Sequence, residues 1–138
     1  METSVKNNDK KSKILLISPY PDSGLTDMKE PPHGLAYIAS NLRDNGFVVE
    51  AIDAKQRCLK THSVISEVVT SKPDLVGITA MTPDIMSAAK IAKGIKIALP
   101  GVLTVIGGPH VNALPKETLE EFPFFDLAVQ GEDRKSVV

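Results

Sequence analysis

Short apolar runs alternate with amphipathic segments along most of this chain. Each run has the length and β-branched content of a buried strand. The five runs are KILLIS (13–18), FVVEAID (47–53), LVGITA (75–80), VLTVIG (102–107) and FDLAVQ (125–130). Because runs of this kind are typical of strands buried on both faces, the pattern favours a parallel sheet with helices on each side.

The segments between these runs carry apolar residues at helical spacing. A helix from Pro31, capped near Gly46, has Leu35, Ile38, Ala39 and Leu42 on one face. Residues 54–60 are predicted to be a polar connection, and the segment with Val64, Ile65, Val68 and Val69 is predicted to be a helix. Thr82-Pro83-Asp84 supplies a helix start, and the inward face that follows is Ile85, Ala88, Ala89, Ala92, Ile95 and Leu99. Lys90, Lys93 and Lys96 lie on another face of that helix, which we expect to be solvated. The last helix spans 115–122, with Leu119 and Phe122 inward.

This order of elements predicts an α/β fold: a Rossmann-like (flavodoxin-like), doubly wound five-stranded parallel sheet with strand order 2-1-3-4-5. Right-handed crossovers place the first helix on one face and the next three on the other. The fifth helix that would complete the first face is missing, so we expect strands three to five to expose apolar residues there. We divide the chain into a disordered leader (1–12), one folded domain (13–132) and a truncated tail (133–138).

Composition excludes several classes of function. The formal net charge of the 138-residue chain is -1 and it has no Trp, which argues against a nucleic-acid partner. No apolar run reaches membrane-helix length and no signal-peptide core is present, so we predict a cytoplasmic protein without a membrane partner. The lone Cys58 excludes an internal disulfide and any metal cluster held by several thiolates of this chain.

Four loops follow the strands at the carboxyl edge of the predicted sheet, where open α/β folds bind ligands. These loops are 18–24, 79–82, 107–110 and 130–132. They offer hydroxyls and bare backbone with almost no positive charge, which disfavours a phosphate-rich nucleotide. A P-loop, a dinucleotide fingerprint, a flavin phosphate loop and the aspartates of a receiver domain are all absent.

Gly107-Gly108-Pro109 is the loop that suggests a ligand most directly. Two interpretations remain open: a simple turn, or bare backbone that a large planar ligand approaches. For His110 the alternatives are a hydrogen bond to backbone and contact with a ligand. His33 and His62 share no metal-ligand spacing with it, so no zinc site is predicted. No paired carboxylates suggest acid/base catalysis.

Taken in order, several segments resemble the N-terminal cobalamin-binding domain of radical S-adenosylmethionine (SAM) enzymes. The segments are 31–39 (PPHGLAYIA), 76–82 (VGITAMT), 107–110 (GGPH), 119–126 and 129–132 (VQGE). The resemblance implies that this Rossmann-like domain holds cobalamin, with the corrin over the strand ends and the nucleotide tail reaching into the domain. It also implies that an iron-sulfur cluster and SAM belong to a separate catalytic domain, which is missing from this chain.

The resemblance places contact residues, but no catalytic residue, around the corrinoid. These are Ser18, Pro19, Tyr20, His33, Gly34, Thr79, Ala80, Met81, Thr82, Gly107, Gly108, Pro109, His110, Gln130, Gly131 and Glu132. Two departures matter. The family's G-E-G-E is replaced by Gly131-Glu132-Asp133-Arg134, and no histidine has an aspartate two positions before it, so the D-x-H-x-x-G motif is absent. We therefore expect bound cobalamin to have neither its own base nor a histidine from that motif below the cobalt.

Two functions follow as hypotheses. The first is a corrinoid-binding module of a radical SAM enzyme such as a methyltransferase, not catalytic by itself. The alternative is a corrinoid-free docking module of the same fold. The expected partners are a corrinoid and, through the uncovered sheet face, a radical SAM catalytic domain or a second copy of the chain. A small flavodoxin-like signalling or flavin protein is disfavoured by the loop chemistry.

Overall fold

Five parallel strands form one sheet in a computed structural model that describes residues 12–20, 33–80, 84–108, 111 and 113–129. The side chains of residues 33 and 34 are outside this description. The strands are β1 (Lys13–Ser18), β2 (Val48–Asp53), β3 (Leu75–Thr79), β4 (Leu103–Gly107) and β5 (Leu127–Ala128). The helices are α1 (His33–Asp44), α2 (Ala54–Arg57), α3 (Thr61–Ser71), α4 (Ile85–Ala98) and α5 (Pro115–Glu121).

The sheet order is β2-β1-β3-β4-β5, which confirms the predicted fold class and topology. All four pairings are parallel, and β1 lies between β2 and β3. Leu15 pairs with Val76 on one side and with Glu50 on the other, so β1 is buried along its length. Within the described residues, no helix is long and apolar enough to cross a membrane.

Alternation along the strands gives the sheet two different faces. The larger core lies on the face covered by α2 to α5, where Leu15, Ile17 and Ile106 are almost completely buried. The other face, here called the α1-side face, is covered by α1 through Leu35 and Ala39, which pack on Ile14, Leu16 and Val49. The predicted division of helices between the two faces is therefore confirmed.

The short helix α2 was missed, because residues 54–60 have no apolar period. The residues that mark the start and the end of this helix are polar. The Asp53 carboxylate accepts a hydrogen bond from the backbone N–H of Gln56 at 3.1 Å, which caps the start. Cys58 ends the helix in the left-handed conformation, with φ 53°. Ala54 anchors the turn in the core.

Two predicted side-chain environments were wrong. Ile38 was expected inward but is 48% exposed, because α1 packs mainly on β1 and β2 and a narrow apolar stripe suffices for that contact. Lys96 was expected to be solvated. Its ammonium instead donates to the Asp126 carboxylate and, at 2.8 Å, to the backbone oxygen of Val102.

Strand β5 has two residues where the sequence predicted six. At its start the Asp126 carboxylate accepts hydrogen bonds from the backbone N–H of Thr104 at 2.9 Å and from the Thr104 hydroxyl at 3.2 Å. A side chain therefore replaces part of the backbone ladder, which shortens the regular strand. After the strand, the Val129 N–H still donates to the Ile106 oxygen at 2.9 Å.

Candidate functional site

The ends of β1, β3 and β4 lie side by side at the carboxyl edge of the sheet. Ser18 closes β1, Thr79 closes β3 and pairs directly with Gly107, the last residue of β4. The Ala80 N–H donates to the Gly107 oxygen at 2.9 Å, so the loops that follow β3 and β4 leave the sheet together. The structure thus brings together three of the predicted groups of site residues, those at 18–20, 79–80 and 107–108.

Gly107 and Gly108 meet different surroundings, although they are adjacent and were predicted to serve the same purpose. A Cβ atom on Gly107 would have the Val129 oxygen 3.7 Å away as its nearest neighbour, which is ordinary contact. A Cβ atom on Gly108 would lie under 3.0 Å from Ala80 and Thr79 atoms, and Gly108 has φ +110°. Gly108 is therefore required by the packing of this chain itself, whereas Gly107 has room for a Cβ atom in ordinary contact with Val129 on the α1-side face.

The other described candidates divide into supporting and accessible residues. Ser18 is 5% exposed, Ala80 is 1% exposed and Pro19 is almost fully buried, so these residues support the edge from below. Tyr20 is half-buried and packs against the larger core. Thr79, Gly107 and Gly108 are half-buried and lie at the surface of the edge.

The remaining predicted contacts are placed only in part. His33 and Gly34 are the first residues of α1, and nothing further is described of them. Seven predicted contacts lie outside the described residues: Met81, Thr82, Pro109, His110, Gln130, Gly131 and Glu132. His62 lies in the first turn of α3 and is exposed, as expected. Among the residues that the structure describes, no group of His, Cys, Asp and Glu could hold a metal ion.

Sequence reasoning missed one ion pair at this edge. The Lys55 ammonium lies 3.3 Å from the Asp84 carboxylate, and the two side chains are only 16% and 5% exposed. Lys55 belongs to α2, directly after β2, and Asp84 precedes α4, after β3. Asp84 had been identified only as an acidic residue at a helix start, and a sequence pattern cannot pair it with a lysine 29 positions away. The pair places two charges at the carboxyl edge that neutralise each other.

An apolar area extends from the edge down the α1-side face of β3, β4 and β5. We call it the open face and define it by Leu103, Val105, Leu127 and Val129. Three of these side chains are 38–39% exposed and Val105 is half-buried. Gly77 on β3 adds no side chain beside Val105, with which it pairs. The prediction that apolar residues are exposed on this face is confirmed for strands four and five, among the described residues. On strand three, Leu75 instead packs against the α1 cluster and Gly77 has no side chain.

A polar cleft lies at the opposite, amino edge, between β1, β2 and the end of α3. Its polar groups bond to one another. The Lys13 ammonium donates a hydrogen bond to the backbone oxygen of Ser71 at 2.9 Å and lies 3.2 Å from the Glu50 carboxylate. The hydrogen bond from the Ser71 hydroxyl, together with Lys13, lowers the pKa of Glu50. These contacts stabilise the junction of strands and helix at the amino edge.

Comparison with known proteins shows the family to which the chain belongs. The profile of a family described as "B12 binding domain" matches residues 26–138. An anaerobic magnesium-protoporphyrin IX monomethyl ester cyclase of Rubrivivax gelatinosus is 35% identical over 123 residues, 87% of this chain and 22% of that protein. An uncharacterized methyltransferase of Pyrococcus horikoshii is 37% identical over the same share of this chain and 27% of its own length. The chain thus spans about a quarter of these relatives.

Solved structures give the same fold. The cobalamin-dependent S-adenosylmethionine radical enzyme OxsB, with aqua-cobalamin and S-adenosylmethionine bound, superposes with a TM-score of 0.73 at 16% identity. The match covers 92% of this chain and 17% of that chain. A shorter sequence match, 34% identical over 61 residues, is to the cobalamin-dependent radical SAM methyltransferase TokK of Streptomyces tokunonensis, and covers 44% of this chain and 9% of that protein.

Proposed function

Since the chain belongs to the B12-binding domain family, we propose that it binds cobalamin at the carboxyl edge of its sheet, as the corrinoid-binding part of a radical SAM enzyme. The observation that carries the proposal is the junction of Thr79, Gly107 and Gly108. There, backbone lies at the surface of the edge and opens onto the apolar α1-side face.

The chemistry of this edge fits a corrinoid. A corrin ring is broad and carries neutral amide side chains, so it needs bare backbone and hydrogen-bonding groups more than it needs fixed charge. Gly107 provides the space, and the Thr79 hydroxyl and nearby backbone provide polar groups. The Lys55–Asp84 pair leaves no net charge from these two residues. The open face beside Gly107 is apolar, which suits the nucleotide tail that the resemblance places within the domain.

The proposed contacts keep the roles assigned from sequence, with one refinement. Thr79 and Gly107 contact the corrinoid, while Ser18, Pro19 and Ala80 hold the edge in shape. Tyr20, His33, Gly34 and the seven predicted contacts outside the described residues remain proposed contacts. No histidine from a D-x-H-x-x-G motif is available to the cobalt, since the motif is absent.

When bound, cobalamin supplies a cobalt centre that can carry a methyl group or exchange electrons. The residues of this chain bind and orient it and carry out no catalytic step. We propose that the catalysis belongs to a radical SAM domain with its own iron-sulfur cluster and S-adenosylmethionine, acting in the cytoplasm. The methyltransferase names of relatives from Pyrococcus horikoshii and Streptomyces tokunonensis support methyl transfer as the reaction class.

Gel filtration after incubation with hydroxocobalamin tests the proposal. We expect corrinoid absorbance to elute with the protein, and its absence would overturn the proposal. Gly107→Phe places a ring at the proposed contact, where the backbone accepts a side chain, and should abolish co-elution. Gly101→Phe is the matched control, because Gly101 is exposed at the amino edge with nothing within 4 Å of an added Cβ atom.

The open face supports a second candidate function, docking without a corrinoid. Leu103, Leu127 and Val129 form an exposed apolar surface that a monomeric domain rarely leaves uncovered. The proposed occupant is the radical SAM catalytic domain, with a second copy of this chain as the competing one. Sedimentation velocity distinguishes them: a concentration-dependent dimer supports self-association, and a monomer that stays free of corrinoid supports docking to another domain.

A further inference from the structure

The Lys55–Asp84 ion pair is unusual for its position as well as for its burial. It joins the segment after β2 to the segment after β3, and β1 lies between these strands in the sheet. Both charges are largely removed from water, which costs free energy that their attraction only partly recovers. Two well-packed apolar side chains at these positions would stabilise the fold to the same degree. What an ion pair adds is a defined distance and direction between the two segments.

One end of the pair has a rigid base. Lys55 lies on the short helix α2, whose first residue, Ala54, is completely buried. Asp53 caps the helix, and Arg57 ties it to α3 through two hydrogen bonds to Glu67, at 2.7 and 3.1 Å. The ammonium of Lys55 therefore extends from a fixed platform at the end of β2.

The other end belongs to the proposed cofactor edge. Asp84 occupies the position before α4, and its carboxylate lies 3.3 Å from the Lys55 ammonium. Four positions earlier, Ala80 is bonded to Gly107 through its backbone N–H. Ala80, after the end of β3, is thus bonded to β4, and Asp84, before the start of α4, is bonded to α2.

We infer that the Lys55–Asp84 ion pair positions the carboxyl end of β3 for cobalamin binding, by holding the start of α4 at a set distance from the end of β2. Lys55 and Asp84 are positioning residues and do not contact the cofactor. This inference rests on the proposed function. Without the pair, Thr79 and Gly107 would still be present, but their alignment at the edge would be lost in part of the population, which weakens binding.

A spectral titration with hydroxocobalamin tests the inference. Asp84→Asn and Lys55→Gln should each raise the dissociation constant about tenfold. The double variant Lys55→Gln/Asp84→Asn should bind no more weakly than either single variant. Lys55→Arg, which keeps the charge, should restore most of the affinity. The matched control is Glu50→Gln, which breaks the Lys13–Glu50 pair at the opposite, amino edge of the sheet and should leave the dissociation constant unchanged.

Amide hydrogen exchange at Ala80, measured without cofactor, gives a readout that does not depend on binding. Faster exchange in Asp84→Asn and Lys55→Gln, but not in Glu50→Gln, is the expected result. If Asp84→Asn does not fold, the apolar double variant Lys55→Met/Asp84→Leu leaves no unpaired charge and should be stable, yet bind hydroxocobalamin more weakly than the wild type.

The outcomes separate this inference from the proposed function. Unchanged dissociation constants in folded variants overturn the positioning role while cobalamin binding stands. If the wild type itself binds no hydroxocobalamin, the proposed function fails, and this inference, which rests on it, falls as well. Unchanged Ala80 exchange also overturns the positioning role, because the end of β3 would then not depend on the pair.

Discussion

A Cβ atom added to Gly108 would lie 2.7 Å from the backbone oxygen of Ala80 and 2.9 Å from its backbone nitrogen. Neither atom can move without disturbing the bond from Ala80 to Gly107. The loops after β3 and β4 are therefore in direct backbone contact, and glycine at position 108 is what allows it. The contact shapes the edge at which we place the cofactor.

The first prediction concerns this contact. Gly108→Ala should lower the free energy of unfolding by about 1–3 kcal/mol, because the added carbon meets backbone and the φ of +110° is strained for any other residue. Gly107→Ala, the neighbouring control, should change it by less than about 0.5 kcal/mol. Urea denaturation of both variants measures the difference. Equal midpoints would show that the two loops separate easily.

The second prediction compares neighbours on opposite faces of β4. Ile106 is fully buried in the larger core, whereas Val105 is half-buried on the open face. Ile106→Ala should cost about 2–5 kcal/mol of unfolding free energy, and Val105→Ala should cost clearly less. Chemical denaturation of the isolated chain gives both values. A large loss for Val105→Ala would mean that the open face is covered in solution.

The third prediction is a pH dependence at the start of β5. Burial raises the pKa of Asp126, but the hydrogen bonds from Lys96 and from the Thr104 backbone lower it by more, so the net direction is down. A lowered pKa stabilises the fold at pH values above the ordinary carboxyl pKa of about 3.9, and that stabilisation is lost as the pH falls through the lowered value.

The test is the variant Asp126→Asn, which should be less stable than the wild type by about 1–2 kcal/mol at pH 7. The difference should shrink as the pH falls below about 4 and then through the lowered pKa of the wild-type carboxylate. The urea denaturation midpoints of both proteins, measured at a series of falling pH values from pH 7, give this difference. Lys96→Met is the companion variant, and it should move the loss of stability in acid to higher pH. A difference that stays constant with pH would exclude this role for the charge.

The fourth prediction concerns the cobalt of bound cobalamin. Since the D-x-H-x-x-G motif is absent and we expect the cofactor's own base to lie away from the cobalt, reduced cob(II)alamin on this chain should show no nitrogen splitting in its electron paramagnetic resonance spectrum. His62→Ala, an exposed position on α3, serves as the control and should leave the spectrum unchanged. Nitrogen splitting that disappears in His110→Ala would instead identify a histidine ligand.

The sequence by itself determined the fold class, the strand order and the edge where the candidate site lies. Buried parallel strands are continuous apolar runs, and KILLIS and LVGITA are short, β-branched runs of this kind that alternate with helical segments. Right-handed crossovers then fixed which helices share a face. The resemblance in 76–82 and 107–110 indicated the cofactor, which the family match to residues 26–138 supports.

Only the tertiary structure decided which residues lie accessible at the carboxyl edge and which stabilise the fold. The sequence does not distinguish the adjacent Gly107 and Gly108, yet an added Cβ atom would make ordinary contact at Gly107 and would clash with backbone at Gly108. Asp126 and Lys96 are far apart in the chain, as are Lys55 and Asp84, and no local pattern pairs them. Local periodicity reports the environment of single elements. Contacts between elements depend on their three-dimensional arrangement, which packing alone sets.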